Sequence, residues 1–174
     1  MHTRSTDAAT TQFVGFELDG QHYLFRIEAI QEIITPGRLT RLPDVPGYVL
    51  GVSNLRGAIV PVIDLRQLFG LPPRDVDAAT RTIVAVVGER IVGCMVDAVS
   101  QVIRLPADQV TSSAESMTAA GPGYVSGFAR IGEGLAIVLD VEALLDPESL
   151  EAVHRAGLPQ PVAPVPLEEK QEKP

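Results

Sequence analysis

The 174-residue chain has no tryptophan, a single cysteine and few aromatic residues, which make up 5% of its composition. One cysteine cannot build a disulfide framework or a thiolate zinc site. Cys94 lies inside an apolar run, so its predicted role is that of a small buried hydrophobe. No apolar run is long enough to span a membrane, and no hydrophobic segment near Met1 resembles a secretory signal. We therefore expect a cytoplasmic protein without direct membrane insertion.

Clusters of basic residues are also missing. The formal net charge is −8, and the 14 Lys and Arg residues are spread along the chain. Binding to nucleic acid or to an anionic membrane surface requires a basic footprint, so we predict neither partner. Protein partners are favoured by elimination. The chain is rich in Val, Ile, Leu and Gly, a balance typical of compact β structure with many turns.

Motifs that carry catalysis are scarce. The three histidines, His2, His22 and His154, share no motif, and the chain contains no phosphate-binding loop and no metal-binding pattern of histidines or carboxylates. Asp64 and Asp140 each precede a predicted helix, and helix capping explains them more simply than acid–base catalysis. We predict no enzymatic activity, no cofactor and no metal. A small hydrolase on a β scaffold is a remote alternative.

The stretch 46–71 combines several strong local signals. Two apolar, β-branched runs flank the sequence Asn-Leu-Arg-Gly at residues 54–57. This pattern predicts a β-hairpin with an arginine at its tip. Asp64 then stands at the N-cap of a short helix, with Gln67 placed to complete a capping box, and Gly70 ends that helix.

Two further hairpins are predicted from apolar runs around tight turns. Residues 12–27 contain Asp19-Gly20, a pair that tolerates the positive φ angles of a type I′ turn, and residues 82–96 contain Gly88-Glu89. The apolar spacing in residues 28–34 fits either a helical turn or a helix that runs into a strand. The residues themselves do not decide between these two.

The chain contains an internal duplication. A slide by 69 residues sets residues 27–30 on 96–99 without a gap, and a slide by 76 residues sets 46–68 on 122–144 with eight identities in 23 positions. Self-similarity of this kind indicates two copies of one β unit. The growth of the offset predicts an insertion at 103–121, which we interpret as a longer surface loop in the second copy.

Each copy has about five strand-like segments, the number needed for a small SH3-like barrel. The predicted fold is therefore mainly β, with two linked five-stranded SH3-like barrels from copies at roughly 12–71 and 81–147, short helices and a C-terminal helix. The domain is expected to span residues 12–157. A disordered N-terminus, 1–11, precedes it, and a proline-rich disordered tail, 158–174, follows it.

The two copies differ at the tips of equivalent hairpins. Ser53–Ala58 has the sequence SNLRGA, whereas Ala129–Gly134 has ARIGEG, so duplication does not explain the arginine at Arg56. A residue that only maintains the fold should be present in both copies. Guanidinium presents a rigid fork of donors, and arginine is frequent at binding hot spots. Arg56 is therefore a candidate contact residue, with a solvated turn residue as the alternative.

Four blocks of sequence carry a resemblance to a known family, namely residues 13–34, 51–66, 92–105 and 124–145. With the Asn-Leu-Arg-Gly tip and the Pro-Val-Ile-Asp-Leu that follows it, they resemble the CheW-like family of chemotaxis adaptors. The resemblance covers nearly everything from Gln12 to Leu150. It implies two linked five-stranded SH3-like barrels with a groove between them, in agreement with the duplication.

The resemblance implies a non-enzymatic adaptor that joins the cytoplasmic tip of a methyl-accepting chemoreceptor to the regulatory domain of the histidine kinase CheA. Such an adaptor is cytoplasmic and is recruited to membrane-associated receptor arrays. Arg56 matches the receptor-contacting arginine of the family, and further positions match the receptor groove: Ile30, Glu32, Val99 and Val102. Gly51 and Gly127 match glycines implicated in kinase or other partner binding, although tight strand packing explains glycines there equally well.

Two other functions are compatible with the same sequence. A CheW-like adaptor of a pathway for surface motility, development or cyclic-dinucleotide output would have the same fold. A passive structural repeat module would show no partner-specific affinity.

Overall fold

The computed structural model describes residues 10–112 and 124–145. In these parts of the chain the strands are β1 Thr10–Leu18, β2 Gln21–Arg26, β3 Ile30–Ile34, β4 Val49–Leu55, β5 Ala58–Asp64, β6 Arg81–Val87, β7 Arg90–Val96, β8 Ala98–Pro106, β9 Val110–Ser112, β10 Val125–Ile131 and β11 Gly134–Leu139. Two short helices follow β5 and β11, α1 Leu65–Leu68 and α2 Val141–Leu144. Two 3₁₀ turns, Ile27–Ala29 and Ala107–Gln109, precede β3 and β9.

The strands form two sheets, and each sheet combines strands from both copies of the duplication. The six-stranded sheet has the order β8-β1-β2-β11-β10-β9, and the five-stranded sheet has the order β3-β6-β7-β5-β4. The first hairpin of each copy therefore belongs to the sheet that the remaining strands of the other copy form. β2 pairs in parallel with β11, and β7 pairs in parallel with β5. The mainly β fold of two barrels is confirmed, although one barrel has six strands instead of the predicted five. The boundaries of the repeats are not the boundaries of the barrels.

Both sheets curl into barrels. The 3₁₀ turn Ala107–Gln109 joins β8 and β9, which are the two edges of the six-stranded sheet. Its interior holds a cluster of buried side chains from five strands: Phe13, Leu24, Leu105, Ala129, Ala136 and Val138. In the five-stranded sheet, residues from every strand line one small internal space of about 20 Å³, including Ile34, Leu55, Val60, Val84 and Met95.

A second and larger apolar cluster spans both sheets and unites them in one core. Phe16 and Phe25 of the six-stranded sheet belong to it, together with Ile63 and Ile83 of the five-stranded sheet. Burial of side chains of this size contributes about 1.5–3 kcal/mol each. Cys94 is fully buried in the same cluster, and burial raises the pKa of its thiol to about 12. Its predicted role as a small core hydrophobe is confirmed.

The predicted turns are present with the expected backbone conformations. Asp19 and Gly20 have φ angles of +53° and +82° between β1 and β2. The tip between β4 and β5 is the two-residue turn Arg56-Gly57, since Leu55 pairs with Ala58. Residues 27–34 form a short 3₁₀ helix that runs into a strand, which is one of the two forms that the sequence allowed.

The capping roles of the two aspartates are confirmed. The Asp64 carboxylate accepts a hydrogen bond from the Arg66 N–H at 3.0 Å, and Asp140 accepts one from the Glu142 N–H at 3.0 Å. Gln67 does reach Asp64, but its amide donates to the carboxylate at 3.4 Å instead of completing a capping box. The reason is that the Asp64 N–H already donates to the carbonyl of Tyr48.

Two predictions about the ends of ordered segments need correction. Thr10 and Thr11, which the sequence places in a disordered N-terminus, belong to β1, because β8 is long enough to pair with them. The predicted insertion loop begins later than expected, since Val110–Ser112 forms an edge strand against β10. The remainder of that loop, the C-terminal helix and the proline-rich tail lie outside the described residues.

Candidate functional site

Arg56 and Glu32 form a two-pronged ion pair across the five-stranded barrel. The Arg56 Nη2 donates to Glu32 Oε1 at 2.8 Å, and Nη1 donates to Oε2. Glu32 lies on β3 at one edge of the sheet, while Arg56 lies in the turn that joins β4, the opposite edge, to β5. The pair therefore connects the two edges where the barrel closes.

The electrostatics of this pair favour a fixed guanidinium on the surface. The Arg56 side chain is 70% exposed, whereas that of Glu32 is 21% exposed. The hydrogen bonds from Arg56 lower the pKa of Glu32 below its usual value, so the carboxylate is ionised at neutral pH. A two-pronged arrangement holds both planar groups in one orientation. Arg56 thus presents an oriented cation to the solvent.

Arg56 has a backbone conformation that is easier for glycine. Its φ angle is +54°, and the equivalent residue of the second copy is Gly132 with φ +61°. The left-handed conformation costs roughly 1–2 kcal/mol for residues with a Cβ. The Gly57 N–H donates to Asn54 Oδ1 at 2.9 Å, which supports the turn. The chain therefore keeps an arginine at a position where the fold by itself prefers glycine.

Apolar candidates occur at equivalent positions of β3 and β8. Ile30 and Val99 are half-buried and pack against the core cluster that spans both sheets. Val102 is 52% exposed, and Ile33, which the slide by 69 residues sets on Val102, is 37% exposed. Ile33 was not singled out from the sequence, although the same slide identifies it. Each strand thus presents one half-buried and one exposed apolar side chain.

The structure brings some of the predicted site residues together directly and relates others through the core. Arg56 and Glu32 are in contact, and Ile30 lies on the same strand as Glu32. Val99 and Val102 lie on β8 in the other sheet. Val99 and Ile30 pack against one core cluster, so the two sets of residues belong to halves that share a core.

Gly51 and Gly127 occupy equivalent positions where two backbones approach closely. A Cβ at Gly51 would lie 2.3 Å from the carbonyl oxygen of Thr40, and a Cβ at Gly127 would lie 2.5 Å from that of Thr111. Gly51 also has a φ angle of +145°. Side chains at these positions would overlap with the backbone, so packing is sufficient to explain both glycines.

A buried ionic network around Arg66 was missed in the sequence. The Arg66 Nη1 donates to Asp97 Oδ2 at 2.6 Å, and its Nε donates to the carbonyl of Pro72 at 2.8 Å. Arg74 also donates to Asp97, and Asp19 lies 3.4 Å from Arg66. Arg66 and Asp97 side chains are each only 8% exposed. The available signal was an arginine two residues after the aspartate that ends the apolar strand β5 and caps α1.

The described residues offer neither a metal centre nor a membrane-spanning helix. Residues 10–112 and 124–145 contain no group of three or more His, Cys, Asp or Glu side chains placed to hold a metal ion. Within the same residues, every helix is too short or too polar to cross a membrane.

Comparisons with known proteins agree with this fold. The model of the CheW-like domain matches residues 12–149. The chain is 37% identical over 146 residues to the chemotaxis protein CheW of Klebsiella aerogenes, covering 84% of this chain and 88% of that protein. It is 34% identical over 134 residues to CheW of Helicobacter pylori, covering 77% and 81%. It is also 33% identical over 79 residues to the protein FrzA of Myxococcus xanthus, covering 45% and 49%.

A solved structure is similar as well. The scaffolding protein TtCheW from Thermoanaerobacter tengcongensis superposes with a TM-score of 0.72 at 27% identity, covering 80% of this chain and 94% of that protein. The two exchanged-hairpin barrels, the match over residues 12–149 and these relatives lead to one conclusion. The chain belongs to the CheW-like family of scaffold and adaptor proteins.

Proposed function

We propose that the chain is a non-enzymatic adaptor that binds the cytoplasmic tip of a chemoreceptor and the regulatory domain of the histidine kinase CheA. It would thereby couple receptor occupancy to kinase activity in membrane-associated arrays. Membership of the CheW-like family supports the adaptor class. The single observation that carries the proposal is the exposed Arg56–Glu32 pair, which is specific to one barrel and orients a guanidinium at a hairpin tip.

The proposed receptor surface combines this pair with the apolar residues of β3 and β8. A receptor tip built from helices would lay its apolar face on these strands in a helix-in-groove contact. Apolar surface removed from water is the main source of affinity in such a contact, and the apolar side chains of β3 and β8 with the most surface left to bury are Ile33 and Val102. Arg56 at the rim would pair with a carboxylate or cap a helix with its donors.

A separate surface is proposed for the kinase, so that both partners bind at the same time. Unpaired strand edges add a strand from another domain readily. We assign the kinase regulatory domain to exposed strand edges of one barrel. Gly51 and Gly127 would then contribute indirectly, by keeping the neighbouring backbones in close contact.

The test is co-sedimentation of the full-length chain with receptor signalling fragments and kinase. Arg56→Ala is expected to remain folded and to weaken receptor binding at least about tenfold, as for truncation of an arginine anchor. Arg130→Ala is the matched control, because Arg130 is an exposed arginine on β10 of the other barrel. Circular dichroism verifies the fold of each variant.

Two outcomes would count against the proposal in different ways. Unchanged receptor binding by Arg56→Ala would refute the site while leaving the adaptor class intact. If the wild-type chain sedimented with neither receptor nor kinase, the adaptor function itself would be refuted.

The second candidate function is that of a CheW-like adaptor in a pathway other than chemotaxis. The relative FrzA, unlike the CheW relatives, is not named as a chemotaxis protein, and the similarity to it over 45% of the chain favours this candidate. Deletion of the gene would distinguish the two. Loss of movement toward attractants supports the chemotaxis role, whereas intact chemotaxis with altered surface movement supports the second candidate.

A further inference from the structure

A cavity of about 570 Å³ lies beside α2, lined by residues of the six-stranded sheet and by Val86 of β6 and Gly88, which follows that strand. Its buried lining is apolar and includes Phe13 and Phe25. Its more exposed lining carries the carboxylates of Glu28, Asp140 and Glu142, together with one arginine, Arg26. The cavity therefore combines an apolar wall with an excess of negative charge.

The duplication identifies this cavity as the counterpart of the Arg66 network. The slides of 76 and 69 residues map Arg66, Asp97 and Asp19 onto three residues that all line the cavity: Glu142, Glu28 and Gly88. In the first half of the molecule the guanidinium of Arg66 fills this place and hydrogen-bonds to Asp97 at 2.6 Å. In the second half the same place holds two carboxylates and open space.

The carboxylates of the cavity differ in their hydrogen bonding. Asp140 accepts hydrogen bonds from the backbone N–H groups of Glu142 and Ala143 at the start of α2. Within residues 10–112 and 124–145, no hydrogen bond or ion pair involves the side chain of Glu28 or Glu142. A basic group from outside would give these two carboxylates charge-assisted hydrogen bonds that they lack within the described residues.

We propose that the cavity binds a basic side chain projected by a partner protein, with arginine as the preferred residue. Its guanidinium would meet Glu28 and Glu142 as Arg66 meets Asp97 in the other half, and an adjacent apolar residue would pack against Phe13 and Val110. Charge complementarity favours such a partner, since this wall and the chain as a whole are acidic. A volume of about 570 Å³ accommodates both side chains.

The test measures binding of a small probe to the full-length, ¹⁵N-labelled chain by nuclear magnetic resonance. The probe is the blocked dipeptide acetyl-Leu-Arg-N-methylamide, and its neutral counterpart carries citrulline in place of arginine. We expect chemical shift changes at Glu28, Gly88 and Glu142. The arginine dipeptide should bind at least about tenfold more tightly than the citrulline dipeptide, and added salt should reduce this preference.

Variants of the cavity separate charge recognition from general effects. The combined substitution Glu28→Gln and Glu142→Gln should abolish the preference for arginine. Glu133→Gln, in the turn between β10 and β11, removes one carboxylate outside the cavity and should leave the preference for arginine unchanged. Glu142→Arg should fill the cavity with the chain's own guanidinium, as Arg66 does in the first half, and should prevent binding of the probe.

Several results would overturn the proposal. Equal binding of both dipeptides, shifts that map elsewhere, or no shifts at all would each do so. Residues 146–174 follow directly on Leu145, and they contain Arg155. If Arg155→Gln increased probe binding about tenfold or more, the chain's own arginine would be the occupant and the partner proposal would fail. Arg56→Ala should leave probe binding unchanged, so this test does not depend on the receptor site.

Discussion

The two barrels follow one plan but differ in their charges. The five-stranded half has two ion pairs. Arg56–Glu32 lies at its closing edges, and Arg66–Asp97 joins α1 to the residue that follows β7. The second half has no such pair at the corresponding positions, which are occupied by Gly132, Gln101, Glu142 and Glu28. Because both halves fold with the same strand pairing, neither ion pair is required by the barrel. Both are specific additions to one half.

The two additions differ in their physical consequences. A buried pair costs a great deal of stability if one partner is removed, because the other charge remains in a poorly solvated place. An exposed pair contributes little to stability and is screened by salt. Removal of one partner of the Arg66–Asp97 pair is therefore expected to destabilise the protein, whereas the Arg56–Glu32 pair is expected to orient a contact residue.

The largest change in the free energy of unfolding is expected when the buried Arg66–Asp97 pair is broken. Arg66→Ala should lower the free energy of unfolding by about 3 kcal/mol, because the buried Asp97 carboxylate would keep only Arg74 and the Asp19 N–H as partners. Urea denaturation measures this value. The matched substitution Glu142→Ala, at the equivalent position of the other half, should change it by no more than about 0.5 kcal/mol. Equal losses in the two variants would contradict the comparison.

The next effect tests a feature that the halves share. Gly51→Ala and Gly127→Ala should each destabilise the protein by about 2 kcal/mol, since the new methyl group overlaps a backbone carbonyl. The loss should be larger at Gly51, where the φ angle of +145° adds backbone strain. Gly134→Ala is the control, because its Cβ would lie 3.6 Å from the carbonyl oxygen of Ile131, an ordinary van der Waals contact. A stable Gly51→Ala protein that failed to bind kinase would instead favour a direct binding role.

A smaller effect concerns the backbone at the tip of the β4–β5 hairpin. Arg56→Gly should have a melting temperature roughly 2–4 °C above that of Arg56→Ala, because glycine adopts a φ of +54° without a Cβ penalty. Neither variant should bind the receptor fragment well. Differential scanning calorimetry measures the melting temperatures, and a more stable alanine variant would show that the turn carries no strain.

The smallest effect concerns pH. Since hydrogen bonds from Arg56 lower the pKa of Glu32, the stabilisation from this pair is complete above the ordinary pKa of 4.5. It is lost as the pH falls through the lower value of the folded state. Carboxyl ¹³C titration should show the Glu32 pKa moving up toward 4.5 in Arg56→Ala. An unchanged titration would mean that the pair does not form in solution.

Local features were predictable because they depend on neighbouring residues. Asp19-Gly20 specifies its turn through positive φ angles, and Asp64 and Asp140 cap helices that begin one residue later. The arginine at the β4–β5 tip stood out because the second copy lacks it. The ends of segments were less predictable, as with Thr10, because they depend on the length of a distant partner strand.

The β class, the duplication, the hairpins, the helix caps and the distinction of Arg56 follow from the order of the residues alone. The exchange of hairpins between the copies, the pairing of Arg56 with Glu32 and the burial of Arg66 against Asp97 became visible only in the folded chain. The difference lies in the range of the interactions. Turns and caps are made within a few residues, whereas these contacts join residues 24 and 31 positions apart, which meet only when the sheets have closed.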